Sequence, residues 1–408
     1  MPDVHTPENH VADLHVALLL NFIAPNHSHV LREIAGRVRR LTVIASTPLE
    51  DNRQWQTDHD GLDVIVQRTW TLRRRLKHVM GFREQNYLHV PLDTRRQLRR
   101  LSPDVVASTE LGPRTFAAKR YCNANSVPHM VCVNDSRHSE TSQSWVRRWL
   151  RRYLLKDAAG VTYNGPACQE LLLRYGASPE VLKPWYYAAD PDKIYLGALR
   201  EPTMPGKGCL RLLTIGALTP RKGLQLALQR MLQWLDQHRD AKIHWRIAGT
   251  GQQRSPMQEA LDQRSDDRMR VQWLGHQTPE QLQNLYATSD VMLFPTLSDE
   301  WGLVVDEAMA SGVAVIASTG SQAATTLIRD GENGFLFSCF DSRSSDNAGA
   351  TCGLHSALDR WHAMNAQQRI TMRQAARRAM RGRGTSDSAM QFMDAVRFVA
   401  AASRRDAG

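Results

Sequence analysis

Short runs of aliphatic and β-branched residues, separated by stretches of helical period, set the strongest limit on how this chain can fold. VALLLNFIA (16–24) precedes HVLREIAGRVRR (29–40), and LTVIAST (41–47) and DVIVQRTW (63–70) follow. DVVAST (104–109), a helix-like segment over 112–122 and HMVCVND (129–135) continue the series. Such runs are too short for buried helices and too uniformly apolar for strands with one wet face. They predict a mostly parallel sheet with helices on both faces.

The texture breaks at DPDKIYLGALREPTMPGKG (190–208), which is polar, rich in Pro and Gly and without sustained period. It reads as a linker. A second α/β series then begins with LRLLTIGAL (210–218), the helix LQLALQRMLQWLDQH (224–238) and KIHWRIAG (242–249). VQWLG (271–275), a helix near 279–287, VMLFPT (291–296), a helix after Gly302, VAVIAST (313–319) and DGENGFLF (330–337) complete it. The expected domains are 1–195 and 196–375. A helical segment over 376–408 is expected to pack back on the first domain. Two tandem α/β domains are expected to face each other across a ligand-binding cleft.

Composition narrows the functional classes. The six cysteines lie far apart with no CxxC pair, so neither a zinc site nor a disulfide framework is expected, and reduced thiols in the cytoplasm are. VALLLNFIA is too short to span a bilayer, and no signal peptide is read at the start. The net charge of +11 is uneven. Residues 71–100 carry nine Arg or Lys against Glu84 and Asp93. In WVRRWLRRYLLK (145–156), Trp145, Val146, Trp149, Leu150, Tyr153 and Leu154 form one helical stripe, and Arg147, Arg148, Arg151 and Arg152 fill much of the opposite face. Basic surface of this kind suits an anionic membrane or a phosphorylated substrate, or is simply solvated. Nucleic acid is not expected, because no recognition module accompanies the charge.

Three loops carry chemistry. GALTPRKG (216–223) follows a strand and opens a helix, so Gly216 permits a tight turn while Arg221 and Lys222 stand where backbone N–H groups and cations hold a diphosphate. IAGTGQQR (247–254) repeats that placement with Gly249 and Gly251. Neither is a dinucleotide fingerprint or a Walker sequence. In LSDEWGLVVDEAMASG (297–312), Asp299 precedes Gly302 and Glu307 falls about one turn into the following helix. Carboxylates there can accept hydrogen bonds from sugar or ribose hydroxyls, or can simply answer the helix dipole.

GALTPRKG, IAGTG, VQWLG, VMLFPT, DEWGLVVDEAMASG and DGENGFLF occur in the order typical of family 4 glycosyltransferases, which the chain resembles strongly over about 211–340 and more loosely over 100–195. The resemblance implies a GT-B fold of two Rossmann-like domains and retaining transfer of a hexose from a nucleoside-diphosphate sugar. It places Arg221 and Lys222 on the diphosphate, the backbone N–H groups of Leu303 and Val304 near the phosphates, and Glu307 on the ribose. Asp299 takes the position of an acid, usually Glu, beside the transferred sugar, with Glu300 as the neighbouring alternative. In the amino-terminal domain the usual glycine-rich loop is replaced by NFIAPNHSHVLRE (21–33). His138 is the best match to the family's sugar-side histidine. His27, Glu110, Asp135 and Asn164 are candidates for the acceptor or the cleft.

The expected cosubstrate is a nucleotide sugar, with no cofactor and no metal, since no aspartate-rich metal motif is seen. The expected acceptor is a saccharide or lipid-linked saccharide at the cytoplasmic face of the inner membrane, as in surface-polysaccharide assembly. Two alternatives stand beside this reading: a sugar-nucleotide epimerase of the same architecture, and an inactive scaffold that keeps only the fold.

Overall fold

The computed structural model describes residues 12–50, 59–77, 82–136, 144–199, 209–264, 266–338 and 353–405. The chain divides into two compact units, one of residues 1–77, 84–190 and 383–408, the other of 78–83 and 191–382.

The first unit runs β1 (His15–Leu20), α1 (Pro25–Ala35), β2 (Arg40–Ala45), β3 (Asp63–Val66), β4 (Thr69–Lys77), β5 (Arg83–Pro91), α2 (Thr94–Leu101), β6 (Val105–Thr109), α3 (Pro113–Asn125), β7 (His129–Val133), α4 (Trp145–Leu155), β8 (Gly160–Tyr163), α5 (Pro166–Arg174) and β9 (Leu182–Pro184). Seven strands form a parallel sheet in the order β3-β2-β1-β6-β7-β8-β9. Every residue of β1 is buried, as a doubly covered parallel strand requires. Val16, Leu18 and Leu20 pack with α1, whereas Ala17 and Leu19 pack with Leu98 of α2 and Ala118 and Tyr121 of α3. The basic stretch 71–100, to which the sequence assigns no elements, forms the separate two-stranded sheet β4-β5 and α2.

The second unit runs β10 (Cys209–Ile215), α6 (Leu224–Gln237), β11 (Lys242–Ala248), α7 (Arg254–Arg264), β12 (Met269–Gly275), α8 (Pro279–Ala287), β13 (Val291–Phe294), α9 (Leu303–Ala310), β14 (Ala314–Ser318), α10 (Gln322–Leu327), β15 (Gly334–Phe337), α11 (Gly353–Ala363) and α12 (Ala366–Ala379). Its six parallel strands lie in the order β12-β11-β10-β13-β14-β15. The order reverses at β10 and β13, the point where doubly wound folds open a crevice at the carboxyl ends of their strands. Trp234 and Trp245 fill the core under α6.

Part of the expected linker is anchored. The Arg377 guanidinium donates to the carbonyls of Gly197 at 2.8 Å, Tyr195 at 3.1 Å and Ser311 at 2.9 Å, which ties 195–197 to the second unit. The last helix, α13 (Thr385–Arg405), belongs to the first unit. There Phe392, Val396 and Val399 join the core beneath β1 and β2, and Phe392 meets Trp185 at 4.8 Å between ring centres. Cys122, Cys132, Cys168 and Cys209 are free thiols. Burial pushes Cys122 and Cys132 up to about 12, so they are inert packing groups. Among the described residues no helix is long and apolar enough to cross a membrane.

Candidate active site

In the second unit, the loop after β10 and the loop after β11 are laced together at the sheet's carboxyl edge. Gly216 N–H donates to the Ala248 carbonyl at 2.9 Å and Leu218 N–H to that of Thr250 at 2.8 Å. Gly249 has φ 144°, and a Cβ there would lie 1.9 Å from the Gly216 carbonyl oxygen. Only glycine permits that approach. Gly251 crosses Leu218 in the same way.

Residues Pro220–Lys222 form a single 3₁₀ turn before α6. It delivers both cations to one carboxylate. Lys222 Nζ donates to Asp299 Oδ2, and Arg221 Nη1 lies 3.5 Å from the same oxygen. Arg221 Nη1 also donates to the Ser298 carbonyl at 2.9 Å. Lys222 sits 5.2 Å from the centre of the Phe294 ring, and it borders a small hollow with Gly216, Phe294 and Pro295. Burial by itself would raise the Asp299 carboxyl, but Lys222 and then Arg221 outweigh it and hold that carboxyl below its usual range. Glu300, the alternative acid, is exposed, and its carbonyl accepts from Gln322 at 3.0 Å.

The turn into α9 is fixed by Gly302 at φ 107°, where a Cβ would meet Ser321 Oγ at 2.8 Å. It brings Leu303 and Val304 to the helix start, with no side-chain cap over their N–H groups. Trp301 locks the turn by donating to Asp306 at 2.7 Å, while Ala323 N–H reaches the Trp301 carbonyl at 3.0 Å. One turn on, Glu307 is buried at 4% exposure. Its Oε2 accepts from Tyr286 Oη at 3.0 Å, and Lys193 Nζ lies 3.8 Å from Oε1. Burial, and next the charge of Glu307, raise the Tyr286 phenol well above its usual value, so it stays a donor. The sequence reading missed both partners. Lys193 lies in the stretch read as linker, and Tyr286 lies in the helix read near 279–287, in which no residue is singled out.

In the first unit, β1, β6, β7 and β8 end at one edge and bring several predicted residues there. Glu110 has φ 70°, rare for a residue with a side chain. Its carboxylate accepts from the Asn21 amide, and the Arg114 guanidinium lies 4.0 Å away. Arg114 is itself buried and donates to Asn21 Oδ1, to Thr109 Oγ1 at 2.9 Å and to Ser46 Oγ at 3.2 Å. Glu110 is exposed to solvent; crowding by the surrounding loops raises its carboxyl only in part, and Arg114 opposes that shift. Asn21 and Arg114 were also missed, because nothing local marks them as partners.

His27 is half-buried and stacks on Tyr187 at 5.6 Å. Burial brings its pKa down to about 4, which leaves a neutral ring at ordinary pH. Asp135 accepts from Arg151 at 2.9 Å. Asn164 is fully buried, and its amide reaches the Asn134 carbonyl at 3.4 Å, joining the loops after β7 and β8. His138 lies outside the described residues.

Sequence and structure comparisons bear on the family and the fold. Residues 27–185 match a glycosyl transferase 4-like domain and 209–353 match glycosyl transferases group 1. The fold is shared with HepE of Anabaena, solved with UDP and glucose, at TM-score 0.65 and 16% identity over 94% of this chain and 99% of that one. It is also shared with WaaG, a glycosyltransferase involved in lipopolysaccharide biosynthesis, at TM-score 0.60 and 14% identity over 93% and 98%. These neighbours define the class as GT-B, two Rossmann-like α/β halves. The chain belongs to the family 4 glycosyltransferases. An uncharacterised glycosyltransferase of Methanocaldococcus jannaschii is 33% identical over 26% of this chain and 27% of its own length. The D-inositol 3-phosphate glycosyltransferase of Acidothermus cellulolyticus is 28% identical over 43% and 41%. The alignments thus span between about a quarter and a half of these curated relatives.

Proposed function

We propose that the protein is a retaining hexosyltransferase that uses a nucleoside-diphosphate sugar as donor and a hydroxyl of a saccharide or lipid-linked saccharide as acceptor, in the assembly of a surface polysaccharide. The observation that carries this reading is the convergence of Lys222 and Arg221 on Asp299, next to a Gly302-capped helix whose Glu307 is held by Tyr286. In this reading the two cations and the amides of Leu303 and Val304 take the diphosphate. Their fixed charge offsets the leaving group as the glycosidic bond breaks, so no divalent metal is required. Asp299, freed from part of its ion pair when the diphosphate arrives, accepts from hydroxyls of the transferred sugar. Glu307 accepts from the ribose. The UDP and UDP-glucose bound by HepE support a donor of this class.

At the carboxyl edge of the first unit, Glu110, fixed by Asn21 and Arg114, accepts from the acceptor's hydroxyls. Attack from the face that the leaving group vacates retains configuration, with the donor phosphate taking the acceptor proton. No carboxylate is assigned as a nucleophile.

The test is release of nucleoside diphosphate from UDP-, GDP- and ADP-sugars, with and without a crude lipid-linked acceptor, in EDTA. Acceptor-dependent release from one donor in EDTA, with the anomer retained in the product, supports the reading. Tight donor binding with no turnover under any acceptor would favour an inactive scaffold, and inversion of the donor sugar without transfer would favour the epimerase.

A further inference from the structure

One helical layer of the first unit differs in charge from the other. Helices α2, α3 and α4 lie side by side on one face of the sheet, with α5 beside α4 on that face; the first three contain no acidic residue, and Glu170 of α5 is paired with Arg174 at 2.7 Å. On the opposite face, α1 carries Glu33, and α13 carries Asp387 and Asp394. Arg95, Arg96, Arg99 and Arg100 of α2 are exposed, as are Arg120 of α3 and Arg148 and Arg152 of α4.

Helix α4 does not bury its aromatic stripe. It turns inward on Arg151, Leu154 and Leu155, with Arg151 held by Asp135 at 2.9 Å and by Tyr175 Oη at 3.2 Å. Trp145, Val146 and Trp149 therefore stand outward at 73%, 51% and 59% exposure. Trp149 stacks on Tyr153, and Tyr153 meets Phe116 of α3 at 5.8 Å. Indole rings among arginines, on three adjacent helices without acids, have the chemistry of the membrane interface: apolar rings enter at headgroup depth and guanidinium groups meet lipid phosphates. A second copy of the chain is the poorer occupant, because a self-contact would set arginine against arginine with no carboxylate on these helices to answer it.

We infer that this layer docks the protein on an anionic phospholipid surface, with α4 as the inserted element and the α2 arginines as electrostatic support. The inference goes beyond the transferase reading, since vesicle binding needs neither donor nor acceptor. Its failure would leave that reading intact.

The experiment is flotation of the full chain with vesicles of phosphatidylcholine alone or mixed with phosphatidylglycerol. Binding is expected only to the mixed vesicles and should weaken as salt is added. R148Q/R152Q should lower it about thirtyfold, taking each arginine near the surface at its ordinary contribution. W145S/W149S should lower it about tenfold. R329Q/R397Q removes the same charge from exposed sites elsewhere and should leave binding nearly unchanged. All six side chains are exposed, so thermal unfolding of each variant should match the parent. Equal binding to both vesicle types, no binding to either, or an equal loss in R329Q/R397Q would overturn the inference. So would a vesicle-free dimer that W145S/W149S dissolves.

Discussion

The carboxyl edges of the two sheets are furnished by opposite means. In the second unit the backbone does the work: Gly249 and Gly302 let loops cross or turn where a Cβ would collide, and the cations arrive on a single 3₁₀ turn. In the first unit the loop after β1 is only NFIA, because α1 opens at Pro25 and takes in Asn26 to His29, and the edge is built from side chains around a buried guanidinium. Backbone amides and fixed cations suit a constant, highly charged group such as a diphosphate. A side-chain network suits a neutral, variable ligand whose hydroxyls must be told apart.

That contrast can be broken experimentally. The largest effect should come from Lys222→Ala, expected to lower kcat/KM for the donor by about 10²- to 10³-fold, the usual loss on removing one charge-stabilising donor. A loss confined to KM for the acceptor would reverse the assignment of the two edges. Next is Glu307→Gln, which should raise the donor KM about tenfold or more, since it weakens a hydrogen bond to a charged acceptor. Tyr286→Phe should do the same more weakly, about fivefold, because it only frees Glu307 to turn. An unchanged donor KM in both would leave Glu307 as a dipole-answering residue of α9 and nothing more.

On the other edge, Glu110→Gln should raise the acceptor KM about fivefold while leaving donor hydrolysis untouched. An equal effect on hydrolysis would place Glu110 with the donor instead. The smallest effect concerns stability. His129 is buried, accepts or donates at 2.9 Å to Ser108 Oγ, and burial, then Lys119, bring its pKa down to about 3. A lowered folded pKa means the unfolded chain takes up the proton first. The stabilisation by the neutral ring is therefore complete above about pH 6.5 and is lost as pH falls towards about 3. Urea titrations across that window should show the loss, and His129→Gln should flatten it.

Much of the second unit was legible because its signals are local. Glycine before a helix, two adjacent cations after a strand, and acids eight residues apart each sit within one loop and its flanking elements, and six such motifs fall in order. The doubly covered parallel sheets were also legible, from the length and uniform apolarity of their strands. The β4-β5 pair was not. Its strands, TWTLRRRLK and REQNYLHVP, hold no sustained apolar run to read, and the basic stretch was read only as surface.

Helix α4 marks the limit most clearly. Period alone put Trp145, Trp149 and Tyr153 on one side and the arginines on the other, and the ordinary inference is that the aromatic side packs inward. Arg151 instead lies at 2% exposure, against Asp135 and Tyr175. Burying a guanidinium is tolerable only where a carboxylate and an acceptor wait for it, and both come from other segments. By itself the sequence determined the family, the parallel sheets and the two loops that carry Arg221 with Lys222 and Asp299. The tertiary structure alone decided which face of α4 meets water, that Tyr286 and Lys193 attend Glu307, and that Arg114 attends Glu110. The reason is the same in each case: periodicity says which side chains share a face, but the partner that makes burial of a charge affordable is distant along the chain.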